Sequence, residues 1–335
     1  MTNEKTVNRK KRGYLLIGIP AILVLLCLNG VVWNIVDSCG EKTAYPPAGQ
    51  MVEIFDTKIH VFSVGERREN QSAVVFMAGL ATPSPTADFY PLWSRLYGEY
   101  FAVVLERPGY GWSESTQRER SVQNIAEEDR SALRQAGIDP PYILVAHSMG
   151  GLEAAMFTAN YENDVQGVVL LDCTSPENML PYRNSVPLLN RLIPALRTFG
   201  LLRLINAINP DILSNQTAGM RNNFIMLDEY HRTLDKIFVL QKYQDAAMIK
   251  EQEMRLINAK AISENPFPPV IPVSMIVAVQ PGDENYPEFH EFMEKQTAWV
   301  NQSGKGRLYT LTGRHYIHHY APDDICDIII SMAQR

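Results

Sequence analysis

The chain has 335 residues, of which 46% are hydrophobic, and a formal net charge of −6. This is enough apolar material for one large buried core or two smaller ones. Residues 1–36 hold five of the basic side chains and one acid, so the rest of the chain is more acidic than the total suggests, which argues against nucleic acid or anionic lipid as its main ligand.

The first predicted element is an apolar segment long enough to cross a membrane. Residues 14–36 contain no charged side chain, and as a helix they can span a bilayer core of about 30 Å. The basic cluster at residues 9–12 lies just before them, so the positive-inside rule predicts a cytoplasmic N-terminus, residues 1–13, and an extracytoplasmic catalytic domain. Because the run is long and residues 36–39 are a poor processing site, we expect an uncleaved signal-anchor, with a removed signal peptide as the alternative.

The next segments predict a linker and the edge of a sheet. Residues 37–50 contain Pro46, Pro47 and Gly49 and are typical of a linker. Residues 51–55 and 59–62 alternate apolar with polar side chains around a short turn, which predicts an antiparallel hairpin at a sheet edge.

From Ala73 onward, strand-like runs alternate with helical stretches. This alternation predicts a mostly parallel central sheet with right-handed crossovers and flanking helices. The predicted strands are 73–78, 101–105, 142–146, 165–171, 273–279 and 307–311, and the predicted helices are about 87–98, 121–136, 150–161, 287–301 and 322–333.

One long segment, residues 176–268, interrupts this alternation. It contains no convincing strand, and its apolar residues follow helical spacing at 188–196, 201–208 and 220–227. Because it leaves the sheet just after the unit that contains Ser148, we expect a helical cap over that serine, with the core formed by 51–175 and 269–335. A second, unrelated helical domain is the alternative.

The run 142–151 predicts a buried strand that turns directly into a helix at Ser148. Such a turn projects the serine hydroxyl from the sheet edge, and it needs small neighbours, which Ala146, Gly150 and Gly151 supply. Alanine replaces the first glycine of the usual Gly-x-Ser-x-Gly pattern. The segment predicts a nucleophile at Ser148.

The chain resembles α/β-hydrolases, in particular a membrane-anchored or secreted bacterial branch of that family. The resemblance runs from about Tyr45 to the C-terminus. It is carried by the segments 45–50, 78–80, 107–113, 146–151 and 313–318. It implies the α/β-hydrolase fold and a catalytic triad in the order serine, acid, histidine.

The predicted base is His315, which follows the last strand in a Gly-Arg-His loop. A serine hydroxyl is a weak nucleophile until an imidazole within hydrogen-bond reach takes its proton. His318 and His319 are competitors, but the family pattern favours the first histidine after the glycine, which leaves them as loop contacts or surface residues. His147 is interpreted as a packing or pocket residue.

The acid of the triad is less well determined by the sequence. The resemblance favours Asp283, in the loop after the penultimate strand, although that loop is slightly longer than usual. Asp172 ends the strand 165–171 and is the alternative, because some members of the superfamily take the acid from that strand. Glu284 is a third candidate.

The tetrahedral intermediate of acyl transfer needs two backbone donors. We predict Met149, after the nucleophile, and Leu80, where Ala78-Gly79-Leu80 replaces the commoner His-Gly. The segment 107–113 is interpreted as a structural turn.

These predictions lead to a serine hydrolase that cleaves a carboxylic ester, acting on a small-molecule ester or acyl substrate. An amidase, peptidase or perhydrolase with the same triad, and a non-catalytic ligand-binding or signalling protein, are alternatives. The histidines lack zinc-ligand spacing and no phosphate-binding motif is present, so we expect no metal and no cofactor. We expect the membrane to be contacted through the N-terminal helix, and no obligate protein partner. Methionines in the cap suggest an acyl or aromatic substrate: Met179, Met220, Met226, Met248 and Met254.

Overall fold

The computed structural model describes residues 2–181, 185–210, 212–213 and 218–334, with side chains from Ile19 onward. Its centre is an eight-stranded sheet with the strand order β1-β2-β4-β3-β5-β6-β7-β8. The strands are β1 (Gln50–Ile54), β2 (Thr57–Val64), β3 (Ala73–Met77), β4 (Ala102–Glu106), β5 (Tyr142–His147), β6 (Val165–Leu171), β7 (Val273–Val279) and β8 (Arg307–Thr312). Strand β2 is antiparallel to β1 and β4, and the other pairs are parallel. The predicted edge hairpin and mostly parallel sheet are confirmed.

The helices of the described residues are α1 (Thr2–Ala44), α2 (Pro85–Asp88), α3 (Tyr90–Leu96), α4 (Val122–Gln135), α5 (Gly150–Asn160), α6 (Pro176–Met179), α7 (Leu188–Thr198), α8 (Leu201–Ile208), α9 (Glu229–Lys242), α10 (Ala246–Ser263), α11 (Pro287–Asn301) and α12 (Pro322–Ala333). The helices predicted in the core are confirmed, except that α2 and α3 replace one helix at 87–98.

The core lies on both faces of the sheet. Alternate strand residues point to opposite faces, so Val75 and Leu144 join one apolar cluster while Phe76 and Val145 join another. Helices α4, α5 and α11 cover the first face, and α3 and α12 cover the second. Strands β3, β4 and β5 are buried at every residue, as expected for parallel strands between two layers of helices.

Parallel pairing brings two predicted site residues together. His147 at the end of β5 pairs with Leu171 at the end of β6. The residues that follow them, Ser148 and Asp172, therefore leave the sheet side by side at its carboxyl edge, where ligands of such sheets bind.

The cap segment is helical, but not in all the places that its apolar spacing predicts. The structure confirms the helices at 188–196 and 201–208. The helix predicted at 220–227 is wrong, because the segment holds only a 3₁₀ turn, Asn222–Phe224, whose three residues all have positive φ. Two longer cap helices, α9 and α10, were not predicted.

Helix α1 continues through Ala44 and includes residues 37–44, where we expected a linker. The cap accounts for part of this difference, because Arg203 on α8 bonds to Ser38 and Glu41 on α1. The segment Ile19–Ala44 has a mean hydropathy of 2.2 in its most apolar window, none of which is buried. It is long and apolar enough to cross a membrane, a test that a signal sequence would also pass.

Candidate active site

Ser148 occupies a sharp turn between β5 and α5. Its φ is 52°, in the left-handed region that non-glycine residues seldom adopt. The turn is possible because its neighbours lack side chains: a Cβ at Gly79 would lie 2.9 Å from Ser148 Cβ, and one at Gly150 would lie 2.7 Å from the Met77 carbonyl oxygen. The local sequence thus exposes the serine hydroxyl at the carboxyl edge of the sheet.

His315 lies between Ser148 and an acid. It follows β8, and its Nε2 is 2.9 Å from Ser148 Oγ. On the other side of the ring, Nδ1 is 2.8 Å from Asp172 Oδ2. The His315 side chain is 38% exposed and that of Asp172 is 18% exposed, so the group is open to a substrate on one side. The structure therefore brings Ser148, His315 and Asp172 together in hydrogen-bond contact.

The preference for Asp283 as the acid disagrees with this geometry. Asp283 Oδ2 accepts a hydrogen bond from the backbone N–H of Gln280 at 2.7 Å, so its carboxylate stabilises its own loop. Asp172, with φ at 45°, bends directly off the end of β6. Its Oδ1 accepts a bond from the Ala278 N–H at 2.9 Å, which fixes the carboxylate and leaves Oδ2 for His315. Glu284 also bonds within the loop, to the N–H of Gly282.

His318 and His319 are not surface residues, since both are fully buried and face Asp88. Among the described residues, these three form the one group close enough to share a metal ion. Arg221 Nε, however, lies 3.2 Å from Asp88 Oδ1, so an arginine already provides a positive charge to this carboxylate. Burial raises the pKa of Asp88, but the charges of Arg221 and His318 outweigh it and hold this pKa well below its usual value. The group is an ion-pair cluster beneath the His315 loop.

His147 also contacts the loop that contains His315. Burial, reinforced by His315 and His318, lowers the pKa of His147 well below its usual value, so its ring is neutral. Its Nε2 lies 2.9 Å from the carbonyl oxygen of His315 and donates a hydrogen bond to it. The predicted packing residue therefore also fixes the backbone of the predicted base, a role that the sequence did not suggest.

Leu80 and Met149 line the same cavity as Ser148. Among the described residues, neither of their N–H groups donates a hydrogen bond to a backbone acceptor. The loop of Leu80 is fixed from behind, because the next N–H, that of Ala81, donates to the Tyr110 hydroxyl at 3.3 Å.

The segment 107–113 is a turn, as predicted, but its side chains also join the core to the cap. The Arg107 guanidinium donates to the Ala78 carbonyl oxygen at 2.7 Å and pairs with Glu153 on α5 and Glu251 on α10. Arg120 also pairs with Glu251, at 3.2 Å. All these charged side chains are buried. A cap helix is thus bonded to the core directly behind the site.

The cavity at Ser148 has a volume of about 690 Å³, within the range of small-molecule sites. Helices α6, α10 and α11 provide most of its walls. Of the five cap methionines named above, Met179 lines it. Its lining residues are Leu80, Ser148, Met149, Thr174, Asn178, Met179, Pro181, Arg255, Glu288, Glu291, Phe292 and Lys295.

Comparison with known proteins identifies one family. Residues 74–328 match the sequence pattern described as "Alpha/beta hydrolase family". The chain is similar to the uncharacterized protein YbdG of Bacillus subtilis, with 24% identity over 325 residues that cover 95% of this chain and 96% of the relative.

Two of the similar solved structures have names that state an activity. A putative epoxide hydrolase from Pseudomonas aeruginosa has a TM-score of 0.62 and 15% identity, covering 84% of this chain and 93% of its own. The enol-lactonase from Burkholderia xenovorans LB400 has a TM-score of 0.58 and 15% identity, covering 83% and 97%. At these identities the likeness shows the fold alone.

Proposed function

Since this chain belongs to the α/β-hydrolase family, we propose that it is a serine hydrolase that cleaves carboxylic esters through an acyl-enzyme. The observation that carries the proposal is the contact of His315 with Ser148 on one side, at 2.9 Å, and with Asp172 on the other, at 2.8 Å. In this assignment Ser148 is the nucleophile, His315 the base and Asp172 the acid.

The first half of the reaction acylates Ser148. Neutral His315 donates its Nδ1–H to Asp172 and accepts the Ser148 proton at Nε2 as Oγ attacks the ester carbonyl carbon. The carbonyl oxygen becomes an oxyanion, which the N–H groups of Leu80 and Met149 stabilise. The intermediate then expels the alkoxide, which takes the proton from His315 Nε2 and leaves as an alcohol.

The second half releases the acid and restores the serine. A water molecule gives a proton to His315 Nε2 as its oxygen attacks the acyl carbon. Collapse of the second tetrahedral intermediate breaks the bond to Ser148 Oγ, which recovers its proton from His315. Asp172 remains ionised and stabilises the imidazolium in both halves.

The nucleophile supports an ester over an epoxide, and one structure of similar fold is named for the cleavage of an ester. Epoxide hydrolases of this fold normally use an aspartate as the nucleophile, so Ser148 argues against that activity despite the name of the Pseudomonas structure. The enol-lactonase is named for the cleavage of a lactone, which is a cyclic ester. The cavity also carries charged groups from Glu288, Glu291 and Lys295, which suits an ester with a polar portion.

The proposed enzyme is anchored by α1, with its N-terminus in the cytoplasm and its catalytic domain outside. The apolar helix and the basic cluster before it support this orientation.

The test is labelling of the detergent-solubilised full chain with a fluorophosphonate. Labelling of the wild type that is lost in Ser148→Ala is the expected result. A folded wild type that does not label would favour the non-catalytic binding protein. Matched p-nitrophenyl ester and p-nitroanilide substrates with the same acyl group then distinguish an esterase from an amidase, and the ester is expected to be cleaved much faster.

A further inference from the structure

Helices α7 and α8 are apolar on two faces. One face packs within the cap, where Ile193 and Leu202 are buried against Leu240. The second face is exposed to an extent that is unusual for a water-soluble surface, with Leu188 at 71% and Ile208 at 77%. Its other members are Leu189, Leu192, Phe199, Leu201, Leu204 and Ile205.

This exposed face adjoins the apolar part of α1. A Cβ added at Gly30 would lie 2.1 Å from the carbonyl oxygen of Phe199, so α1 and the turn between α7 and α8 are in backbone contact. Arg203 makes a second connection, with hydrogen bonds of 2.9 Å to Asn34 Oδ1 and Ser38 Oγ and an ion pair of 2.7 Å to Glu41. These contacts fix the position of the cap along the axis of α1.

The contact at Gly30 lies within the apolar run of α1, before the run ends. The uncharged run of α1 ends at Val36, and Gly30 lies six residues before it, or about 9 Å along the helix axis. Arg203 bonds to polar residues near the end of the run, whereas Phe199 and Gly200 contact α1 at Gly30, closer to the middle of the run. If α1 spans a membrane, the turn from α7 to α8 is inside the hydrocarbon layer.

An apolar groove of about 590 Å³ lies in the angle between α1 and α8. Its α1 residues run from Leu23 to Trp33, so it extends further toward the centre of the membrane than the turn does. The amide of Asn29, its most polar lining group, donates to the Leu25 carbonyl oxygen of its own helix at 2.7 Å. The full lining is Leu23, Leu26, Cys27, Asn29, Gly30, Trp33, Phe199, Gly200, Leu201 and Leu204.

The composition of α7 and α8 also fits a membrane surface. Their charged residues are Arg191, Arg197 and Arg203, and neither helix contains an acid. Each of these arginines has a partner within the protein: Arg191 pairs with Glu253, Arg197 donates to the Tyr243 carbonyl oxygen and Arg203 pairs with Glu41, so none of these charges would enter the lipid unpaired.

We propose that the first turn of α8, with the preceding turn at Phe199 and Gly200, is immersed in the membrane leaflet that contains the C-terminal part of α1, and that a lipid acyl chain fills the groove. This rests on the proposed anchoring by α1. The cap is then a second contact of the catalytic domain with the membrane. Lipid acyl chains cover the apolar face of α7 and α8 that would otherwise be exposed to water.

The experiment uses the full chain in phosphatidylcholine nanodiscs, with Cys27→Ser and Cys39→Ser so that the two exposed native thiols do not react. An environment-sensitive fluorophore is attached to Leu201→Cys and Leu204→Cys on α8. Val32→Cys on α1 is the control for a site in contact with lipid. Tyr97→Cys, on the exposed surface of the α/β domain, is the control for a site in contact with water. Retained fluorophosphonate labelling shows that each variant is folded.

The expected result is that doxyl-labelled lipids quench the fluorophore at Leu201 and Leu204 as strongly as at Val32, whereas iodide in the buffer quenches it at Tyr97. Iodide quenching at Leu201 and Leu204, with lipid quenching kept at Val32, would overturn the immersion of the cap and leave the anchor intact. Loss of lipid quenching at Val32 as well would overturn both proposals.

Discussion

The Tyr110 hydroxyl donates a hydrogen bond to Glu251 across 2.6 Å and so joins a turn of the core to a helix of the cap. The same hydroxyl accepts the N–H of Ala81, the residue after Leu80. A cap side chain is therefore connected, through one phenol, to the loop that we propose binds the oxyanion.

Tyr110→Phe is expected to lower kcat roughly tenfold with little change in KM, because the loop of Leu80 loses an anchor while its own donor remains. Steady-state kinetics on an ester substrate measure this. Tyr97→Phe, at an exposed tyrosine, is the matched control and is expected to be silent. Equal kinetics for Tyr110→Phe and wild type would show that the loop keeps its position without the phenol.

We expect opposite effects on activity when each of the two candidate acids, Asp172 and Asp283, is replaced by asparagine. Asp172→Asn should lower kcat on the order of 10⁴-fold, since an amide in that place favours the wrong tautomer of His315. Asp283→Asn should keep nearly full activity, because its carboxylate contacts the N–H of Gln280 in its own loop. The comparison uses initial rates and fluorophosphonate labelling, and a severe loss in Asp283→Asn alone would reverse the assignment.

Glu251→Gln is expected to destabilise the protein by about 3 kcal/mol, because it leaves the buried guanidinium groups of Arg107 and Arg120 with one carboxylate fewer. The neighbouring exposed pair of Glu253 with Arg191 provides the control. Glu253→Gln should change the unfolding free energy by less than about 1 kcal/mol. Urea unfolding in detergent compares the two, and equal losses would contradict the importance of the buried cluster.

Gly150→Ala is expected to cost about 1–3 kcal/mol and much of the activity through overpacking. Its new Cβ would lie 2.7 Å from the Met77 carbonyl oxygen and 2.8 Å from that of Ala78, and these backbone atoms lead into the loop of Leu80. Gly40→Ala, with nothing within 4 Å of the added Cβ, is the control. Thermal unfolding and fluorophosphonate labelling rates measure both effects, and unchanged values for Gly150→Ala would contradict this close packing.

The buried carboxyl of Asp129 should make stability depend on pH. Burial raises its pKa to about 7, against about 3.9 in an unfolded chain. Between these values the folded state keeps a proton that the unfolded state has lost, so stability falls as the pH rises from about 4 through about 7 and then levels off.

Asp129→Asn is expected to remove this part of the pH dependence. Urea midpoints of both proteins at several pH values between 5 and 8 test it, with the exposed Asp139→Asn as the control. The same decline in wild type and Asp129→Asn would show that another group is responsible.

The sheet could be predicted because its strands are short, continuous apolar runs between clear breaks. The positions of Ser148 and His315 at the carboxyl edge of the sheet could be predicted because each follows such a strand within a recognisable local pattern. The preference for Asp172 over Asp283 depends on a tertiary contact, the 2.8 Å distance from Asp172 Oδ2 to His315 Nδ1. Both residues follow strands that end at the same edge of the sheet, so spacing along the chain did not separate them.

The cap was harder to predict because its buried surface is partly charged. Glu251 on α10 would be assigned to the surface by its type, yet it is buried with Arg107 and Arg120. The end of α1 was missed for a similar reason, since its contacts come from Arg203, which is far away in the sequence. Such pairings appear only when the chain is folded.

The loop of residues 280–286 is a suitable site for inserting a peptide, because Asp172, and not an acid of this loop, contacts His315. Most of its residues are exposed, with Tyr286 at 63%, and the carboxylates of Asp283 and Glu284 accept hydrogen bonds from N–H groups of the same loop. Exposed loop tips accept inserted sequence best. A protein engineer who needs an internal epitope or a protease site on the catalytic domain should therefore insert it here, where the added peptide leaves the hydrogen bonds of His315 untouched.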